Sequence, residues 1–190
     1  ISRIIFADDG NGVPSAAIAD EILRAGSRTK HLYSASSLSR YGVGLKGGGF
    51  ALARRITVLT CGDEGKAYRR RIDRDEIEST DKWVQEIQDP TVEEMKFFTN
   101  TLGNLPGDRA NRKTGMVVIL EKVTVKTRDL SKLRNDLVRN AGETYGKFLV
   151  AKSDIHRLAI NVDGVPVEPV DPLHRENPDT VLLMMRQQID

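Results

Sequence analysis

The sequence predicts an α+β fold in which helices lie on a mostly antiparallel sheet. Two runs rich in β-branched residues, 55–61 (RITVLTC) and 116–125 (MVVILEKVTV), are typical of buried strands. Residues 66–72 follow the first run after a CGDEG turn, so the two segments are expected to pair as a hairpin. Residues 16–23 instead place apolar side chains at helical spacing, behind a serine that can cap a helix.

The segments around that helix differ in character. Residues 2–7 (SRIIFA) predict a short strand, and the DDGNGVP that follows them is a strong turn signal. Residues 27–40 are polar, serine-rich and basic, so we expect a loop there. Residues 42–49 hold five glycines in eight positions and run into a helix at 50–53. Residues 74–112 mix helical and loop-forming patterns.

The last third of the sequence predicts a long helix followed by a hairpin. Residues 130–150 form a charged amphipathic pattern that Gly142 could break. Residues 155–162 and 165–167 flank an Asp-Gly turn, which is a strong hairpin signal. A TVLLMM run near the end predicts one more strand.

The composition is that of a globular protein and excludes several kinds of site. The net charge of +2 over 190 residues gives no general attraction to nucleic acids or membranes. Cys61 is the only cysteine, which excludes an intrachain disulfide and a cysteine zinc cluster. The three histidines lack the spacing of metal ligands. No apolar run approaches the roughly 18 residues of a membrane span, so we expect a soluble protein of the cytoplasm, or of the nucleus in a eukaryote.

Two glycine-containing motifs together supply the parts of an ATP site that has no Walker loop. Asp8 ends a predicted strand and begins D-x-G-x-G, which offers a carboxylate for the adenine amino group and glycines that let the backbone approach the base. Thirty-four residues after Asp8, GVGLKGGG leads into a helix, whose N-terminus favours phosphate. Lys46 adds positive charge, and the polar loop between the motifs is suited to act as a lid.

These motifs resemble those of a known superfamily. DDGNGVP is similar to the adenine-binding motif of the GHKL ATPases, the group that contains DNA gyrase B, the heat-shock chaperone, histidine kinases and the MutL mismatch-repair proteins. SRYGVGLKGGGFALARRITVLT resembles the second glycine motif of the Microrchidia (MORC) branch and its bacterial relatives, and LRAGSRTKH resembles their lid. RKTGMVVILEKV is similar to their late G-T-x-V strand, and NVDGVPVEPVDPL to a hairpin that follows the ATPase domain in bacterial MORC-like proteins.

The resemblance implies a fold, a division of the chain and two cofactors. The fold would be the two-layer α/β sandwich of the GHKL (Bergerat) type, with a mixed, mostly antiparallel sheet and helices on one face. Residues 1–125 would form the ATP-binding domain, and residues 126–190 a connecting helix and the start of a transducer-like domain. ATP and Mg²⁺ would be the cofactors, and an ATP-dependent homodimer would be the assembly.

The resemblance also implies roles for individual residues. Asp8 would contact the adenine amino group, and Gly10 and Gly12 would line the base pocket. Five residues of the second motif would meet the phosphates: Gly42, Val43, Gly44, Leu45 and Lys46. The lid would contribute Ser27, Thr29 and Lys30.

Two departures from the family pattern bear on hydrolysis. The family's first motif is a helix before the adenine-binding motif, with a general-base Glu and an Asn that holds Mg²⁺ through the phosphates. This sequence starts at Ile1, shortly before Asp8, and AIADEILRAG after it has no Asn, so no catalytic residue is assigned among these 190 residues. The late G-T is Gly115-Met116, and Thr114 offers the nearest hydroxyl.

The function that these observations favour is ATP binding and slow hydrolysis that drives lid closure and a conformational or dimerisation change. The alternative is a non-hydrolysing, nucleotide-gated interaction module or a degenerate scaffold. A histidine-kinase type of phosphotransferase ranks last, because no histidine is placed as an acceptor before the ATP domain. A dinucleotide fold would need a hydrophobic strand before Gly42, and a P-loop motif is absent from the sequence. The basic run Tyr68-Arg69-Arg70-Arg71 is expected to form a solvent face rather than a nucleic-acid contact.

Overall fold

The computed structural model describes residues 2–24, 43–106, 113–127, 129–149, 158–171 and 179. The chain divides into two compact units, Ile1–Thr127 and Arg128–Asp190, and each is considered by itself. No helix in these ranges is both long enough and apolar enough to cross a bilayer.

The first unit is built on a five-stranded sheet. Its elements are β1 (Arg3–Asp8), α1 (Ala16–Ile22), α2 (Gly44–Leu52), β2 (Ala53–Cys61), β3 (Ala67–Asp73), α3 (Arg74–Thr80), β4 (Glu86–Gln88), α4 (Val92–Gly103) and β5 (Gly115–Val123). The strand order is β1-β5-β2-β3-β4, and each neighbouring pair is antiparallel. The β2–β3 hairpin confirms the pairing predicted across CGDEG, and the predicted fold class is confirmed.

One face of the sheet is covered by α1 and α2. Ile56 of β2 lies directly opposite Leu120 of β5, so the two side chains point to the same face of the sheet. Both are buried beneath these helices. Gly49 of α2 lets the helix come close, since a Cβ there would lie 2.5 Å from Cδ1 of Ile56. This helix therefore packs directly on the centre of the sheet.

The other face is covered by α4, whereas the sequence predicted helices on one face only. Leu59 and Val117 point away from α1 and α2 and pack against Phe98 and Leu102 of α4. The helix begins with a capping box in which Thr91 and Glu94 satisfy each other's backbone N–H groups. Its apolar stripe matches the second face of β2 and β5, which is why the sheet is covered on both sides.

The basic run in β3 is a correction to the sequence prediction. Arg69 and Arg70 are only 6% and 3% exposed, so they form neither a solvent face nor a nucleic-acid surface. They point to opposite faces of the sheet, where Arg69 pairs with Glu94 of α4 and Arg70 pairs with Asp20 of α1. A strand covered on both faces buries alternate residues on each side, and these two ion pairs tie one helix to each face.

The second unit contains α5 (Leu130–Leu149), β6 (Asn161–Val162) and β7 (Val165–Pro166). The predicted Asp-Gly turn is confirmed, with positive φ angles at both turn residues. The predicted long helix is continuous through Gly142, the residue that could have broken it. Gly142 is instead a point of close approach, because a Cβ there would lie 2.5 Å from the carbonyl oxygen of Glu168. The TVLLMM run lies outside the described residues.

Candidate functional site

Asp8 is the last residue of β1, and its side chain is open to solvent. It pairs with Met116 of β5, on the sheet face that α1 and α2 cover. The backbone N–H of Gly10 donates to Oδ1 of Asp8 at 3.0 Å, which fixes the direction of the carboxyl. A Cβ on Gly10 would lie 2.9 Å from the same oxygen, so glycine keeps this contact unobstructed.

The loop after Asp8 is wedged against the end of β2. Gly12 has a φ of +61°, and a Cβ there would lie 1.9 Å from the carbonyl oxygen of Cys61. Gly62 faces the loop from the other side, since its Cβ would lie 2.7 Å from the carbonyl oxygen of Val13. Because of these contacts, DDGNGVP is packed against the end of β2 and is more than a simple turn. Ser15 follows it and caps α1, since its side-chain oxygen accepts from the backbone N–H of Ile18.

A buried threonine joins this loop to β5. The hydroxyl of Thr60 accepts from the N–H of Val13 at 3.1 Å and donates to the carbonyl oxygen of Gly115 at 2.9 Å. Sequence reasoning missed this residue, because its two partners lie 47 and 55 residues away along the chain. Its only sequence signal is a hydroxyl near the end of β2, and Thr57 in the same strand also offers a hydroxyl.

The electrostatic setting of Asp8 disfavours its charged form. Desolvation raises the pKa of the Asp8 carboxyl above the ordinary value, the Gly10 N–H opposes the rise, and the charge of Asp9 adds to it. The Asp8 carboxylate is therefore a hydrogen-bond acceptor that is partly desolvated but still accessible from solution. Such a carboxylate gains from a donor that approaches from solution.

The N-terminus of α2 supplies backbone donors on the same face of the sheet. The helix starts at Gly44 after Val43, whose side chain makes no capping hydrogen bond. Backbone N–H groups in the first turn of a helix have no intrahelical acceptor, and the helix dipole adds partial positive charge there. The structure thus places the Asp8 side chain and helix α2, which holds the described glycines of the second motif, on one face of the sheet.

Most glycines of α2 have no packing role among the described residues. A Cβ on Gly44, Gly47 or Gly48 would meet no heavy atom within 4 Å, whereas one on Gly49 would collide with Ile56. Each glycine inside a helix costs roughly 0.5–1 kcal/mol relative to alanine. Packing against the described core does not offset that cost at Gly47 and Gly48.

Lys46 is directed towards α1 in this structure. It is 6% exposed, and its Nζ donates to the carbonyl oxygen of Ile22 at 3.1 Å, near the C-terminal end of α1. Burial lowers the pKa of its ammonium, and the charge of Glu21 opposes this shift. Leu45 beside it packs against the core. The proposed phosphate contact of Lys46 therefore remains a prediction, and its observed contact is with a helix end.

The remaining predicted residues are placed as follows. Thr114 is half-buried immediately before β5, and Met116 is half-buried within it. Gly115 between them has a φ of +150°, and a Cβ there would lie 2.3 Å from the carbonyl oxygen of Asp8. Ser27, Thr29, Lys30 and Gly42 lie outside the described residues. Across the described ranges, no three His, Cys, Asp or Glu side chains are grouped to hold a metal ion.

Residues 1–103 match the histidine kinase-, DNA gyrase B- and HSP90-like ATPase family, which is more than half of the 190 residues. No curated protein matches the chain closely enough to serve as a relative. The matched region contains both glycine motifs, α1 to α4 and the first four strands. The chain belongs to the family of histidine kinase-, DNA gyrase B- and HSP90-like ATPases.

Proposed function

We propose that the first unit binds ATP, with Asp8 as the residue that recognises adenine. The observation that carries the proposal is the accessible, partly desolvated carboxylate whose direction is fixed by the Gly10 N–H. The exocyclic amino group of adenine would donate to this carboxylate. Guanine has a carbonyl oxygen at that position and would meet it as a second acceptor. Gly10 and Gly12 would line the base pocket.

The phosphates are proposed to lie at the N-terminus of α2. The uncapped first turn provides backbone N–H groups and favourable partial charge for an anion. Among the described residues, nothing occupies the space beside Gly44, Gly47 and Gly48, which leaves room for a ligand next to the backbone. Gly42, Val43, Leu45 and Lys46 would complete this site, together with Ser27, Thr29 and Lys30 from the lid and Thr114 near the base.

Magnesium would be held through the phosphates, since the described residues contain no cluster of ligands for it. It would neutralise phosphate charge when bound. We further propose slow hydrolysis coupled to lid closure and dimerisation, in a MORC-like protein of the cytoplasm or nucleus. The second unit is proposed to be a connecting helix and the start of a transducer-like domain. A non-hydrolysing, nucleotide-gated module is the alternative, favoured by Met116 in place of the family's threonine.

Thermal unfolding with added nucleotide tests the proposal. A ligand that binds only the folded state stabilises it by about 2.7 kcal/mol at one hundred times its Kd. We therefore expect ATP with Mg²⁺ to raise the melting temperature in a concentration-dependent way, and GTP at the same concentrations to have a much smaller effect. Equal shifts with both nucleotides would contradict adenine recognition. Phosphate release in the same samples then separates hydrolysis from the non-hydrolysing alternative.

Titration of the Asp8 carboxyl is expected to show a raised midpoint. Carbon NMR of the side chain should give a midpoint above the ordinary value of about 3.9, and Asp9→Asn should lower it because the neighbouring charge is removed. Since the folded-state pKa lies above the unfolded value, ionisation of Asp8 lowers the stability of the fold as pH rises from the unfolded-state pKa through the folded-state pKa. A midpoint at or below the ordinary value, unchanged in Asp9→Asn, would show that the carboxyl is not desolvated.

Replacing both Gly47 and Gly48 with alanine is expected to separate stability from binding. The free energy of unfolding should rise by about 1–2 kcal/mol, because helical glycines are replaced and the described residues leave room for both methyl groups. The affinity for ATP should fall at least tenfold, because the methyl groups would occupy space proposed for the ligand.

Gly49→Ala is the matched control on the same helix. It should lower stability by up to about 2 kcal/mol, since the overpacking of its Cβ against Ile56 costs about 1–3 kcal/mol and the helical preference of alanine offsets roughly 0.5–1 kcal/mol of that. Chemical denaturation and ATP titration measure both quantities. A double variant that gains stability and binds ATP as tightly as the parent would exclude a ligand role for these glycines.

A further inference from the structure

The Thr60 hydroxyl lies two strands away from Asp8, beneath the loop that follows Asp8. Thr60 is 1% exposed, and its hydroxyl uses both its donor and an acceptor position within the protein. It lies on β2, directly across from Met116 of β5, which in turn lies across from Asp8 of β1. The three residues therefore form one row across three strands, on the face of the sheet where nucleotide binding is proposed.

The two partners of the hydroxyl belong to segments that shape the surroundings of Asp8. Val13 ends the loop that begins at Asp8, and its N–H donates to the Thr60 hydroxyl at 3.1 Å. Gly115 starts β5, and its carbonyl oxygen accepts from the same hydroxyl at 2.9 Å. Gly115 also packs so tightly on Asp8 that a Cβ would lie 2.3 Å from the Asp8 carbonyl oxygen. The Thr60 hydroxyl thus links the loop that follows Asp8 to the start of β5, the strand that pairs with β1.

We propose that Thr60 is a positioning residue for nucleotide binding, which sets the Asp8 loop and the start of β5 in the arrangement that receives the base. This inference rests on the proposed function. Thr60 makes no contact with the Asp8 carboxyl itself, so it acts through Val13 and Gly115. Without the hydroxyl, a buried N–H and a buried carbonyl oxygen lose their partner, and the loop must move to satisfy them.

Thr60→Val is the main test, because it removes the hydroxyl and keeps the shape of the side chain. We expect ATP affinity to fall at least tenfold. In the ligand-free protein, amide hydrogen exchange at Val13 should become at least tenfold faster than in the parent, while amides in the middle of β2 change little. Thr60→Ser keeps the hydroxyl and should bind ATP within about threefold of the parent.

Thr57→Val is the matched control. Thr57 is buried on the same strand but points to the opposite face, towards α4. It should leave both ATP affinity and exchange at Val13 unchanged. If Thr60→Val binds ATP like the parent, or if Thr60→Ser loses as much affinity as Thr60→Val, the inference is wrong. If Thr60→Val does not fold, Thr60→Ala takes its place as the variant without the hydroxyl, with the same expected loss of ATP affinity and the same faster exchange at Val13.

The exchange measurement separates this inference from the proposed function. If the parent does not bind ATP but Val13 exchanges faster in Thr60→Val, the proposed function fails and the loop-positioning role stands. If the parent binds ATP and Val13 exchange is unchanged in Thr60→Val, the positioning role fails and the proposed function stands.

Discussion

Replacing Arg69 with methionine is expected to lower the free energy of unfolding by about 3 kcal/mol. The guanidinium is buried, and its Nε and Nη1 donate to Glu94 and Glu86 at 2.7 and 2.8 Å. Breaking a buried ion pair from one side typically costs 3–5 kcal/mol, because the remaining charge loses its partner. We expect the lower end of that range, since both carboxylates keep some contact with water.

Chemical denaturation of Arg69→Met beside Arg74→Met measures this effect. Arg74 pairs with Glu78 through an exposed contact one helical turn away on α3, and such pairs contribute at most about 1 kcal/mol. The control should therefore lose little stability. Equal losses in the two variants would contradict the account in which the buried Arg69 joins β3 to its neighbour β4 and to α4.

Replacing Asp8 with asparagine is expected to weaken ATP binding about 100-fold. A hydrogen bond to a charged group contributes about 1.5–3 kcal/mol, and each 1.4 kcal/mol corresponds to a tenfold change in affinity. The amide also carries an NH₂ group, which would oppose the amino group of adenine if it faced the base. Stability should change by only about 0.5 kcal/mol, because the side chain is exposed and an amide oxygen can still accept from Gly10.

Asp9→Asn is the matched control for Asp8→Asn, since it removes the same charge one residue along the chain. Competition titration with a fluorescent ATP analogue gives both affinities. We expect Asp9→Asn to bind ATP within about threefold of the parent. If both variants lose affinity equally, the charge of the loop matters and the specific contact at Asp8 does not.

Much of the sheet was predictable because its signals are local. The β-branched run in β2 and the CGDEG turn determine a hairpin without knowledge of the rest of the fold. The segment from α3 to α4 was not assigned, although Thr91 and Glu94 form a capping box. The burial of Arg69 depends on α4 covering the second face, so an unassigned α4 led to the wrong prediction for the basic run.

The candidate site divides in the same way between local and distant contacts. Asp8 and Gly10 lie two residues apart, and their hydrogen bond follows from the short sequence DDG, whereas the close approach of Gly12 to Cys61 does not. The contacts of Thr60 with Val13 and Gly115, and of Lys46 with Ile22, cross between elements. Such contacts depend on strand register and helix placement, which a single sequence does not determine.

Calorimetric titration of ATP and GTP into this chain in the presence of Mg²⁺ tests the central claim most directly. The account predicts saturable binding of ATP at one site per chain and at least 100-fold weaker binding of GTP, because the Asp8 carboxylate accepts from an amino group and opposes a carbonyl oxygen. A folded protein that releases no heat with ATP, or that binds both nucleotides equally, would contradict it.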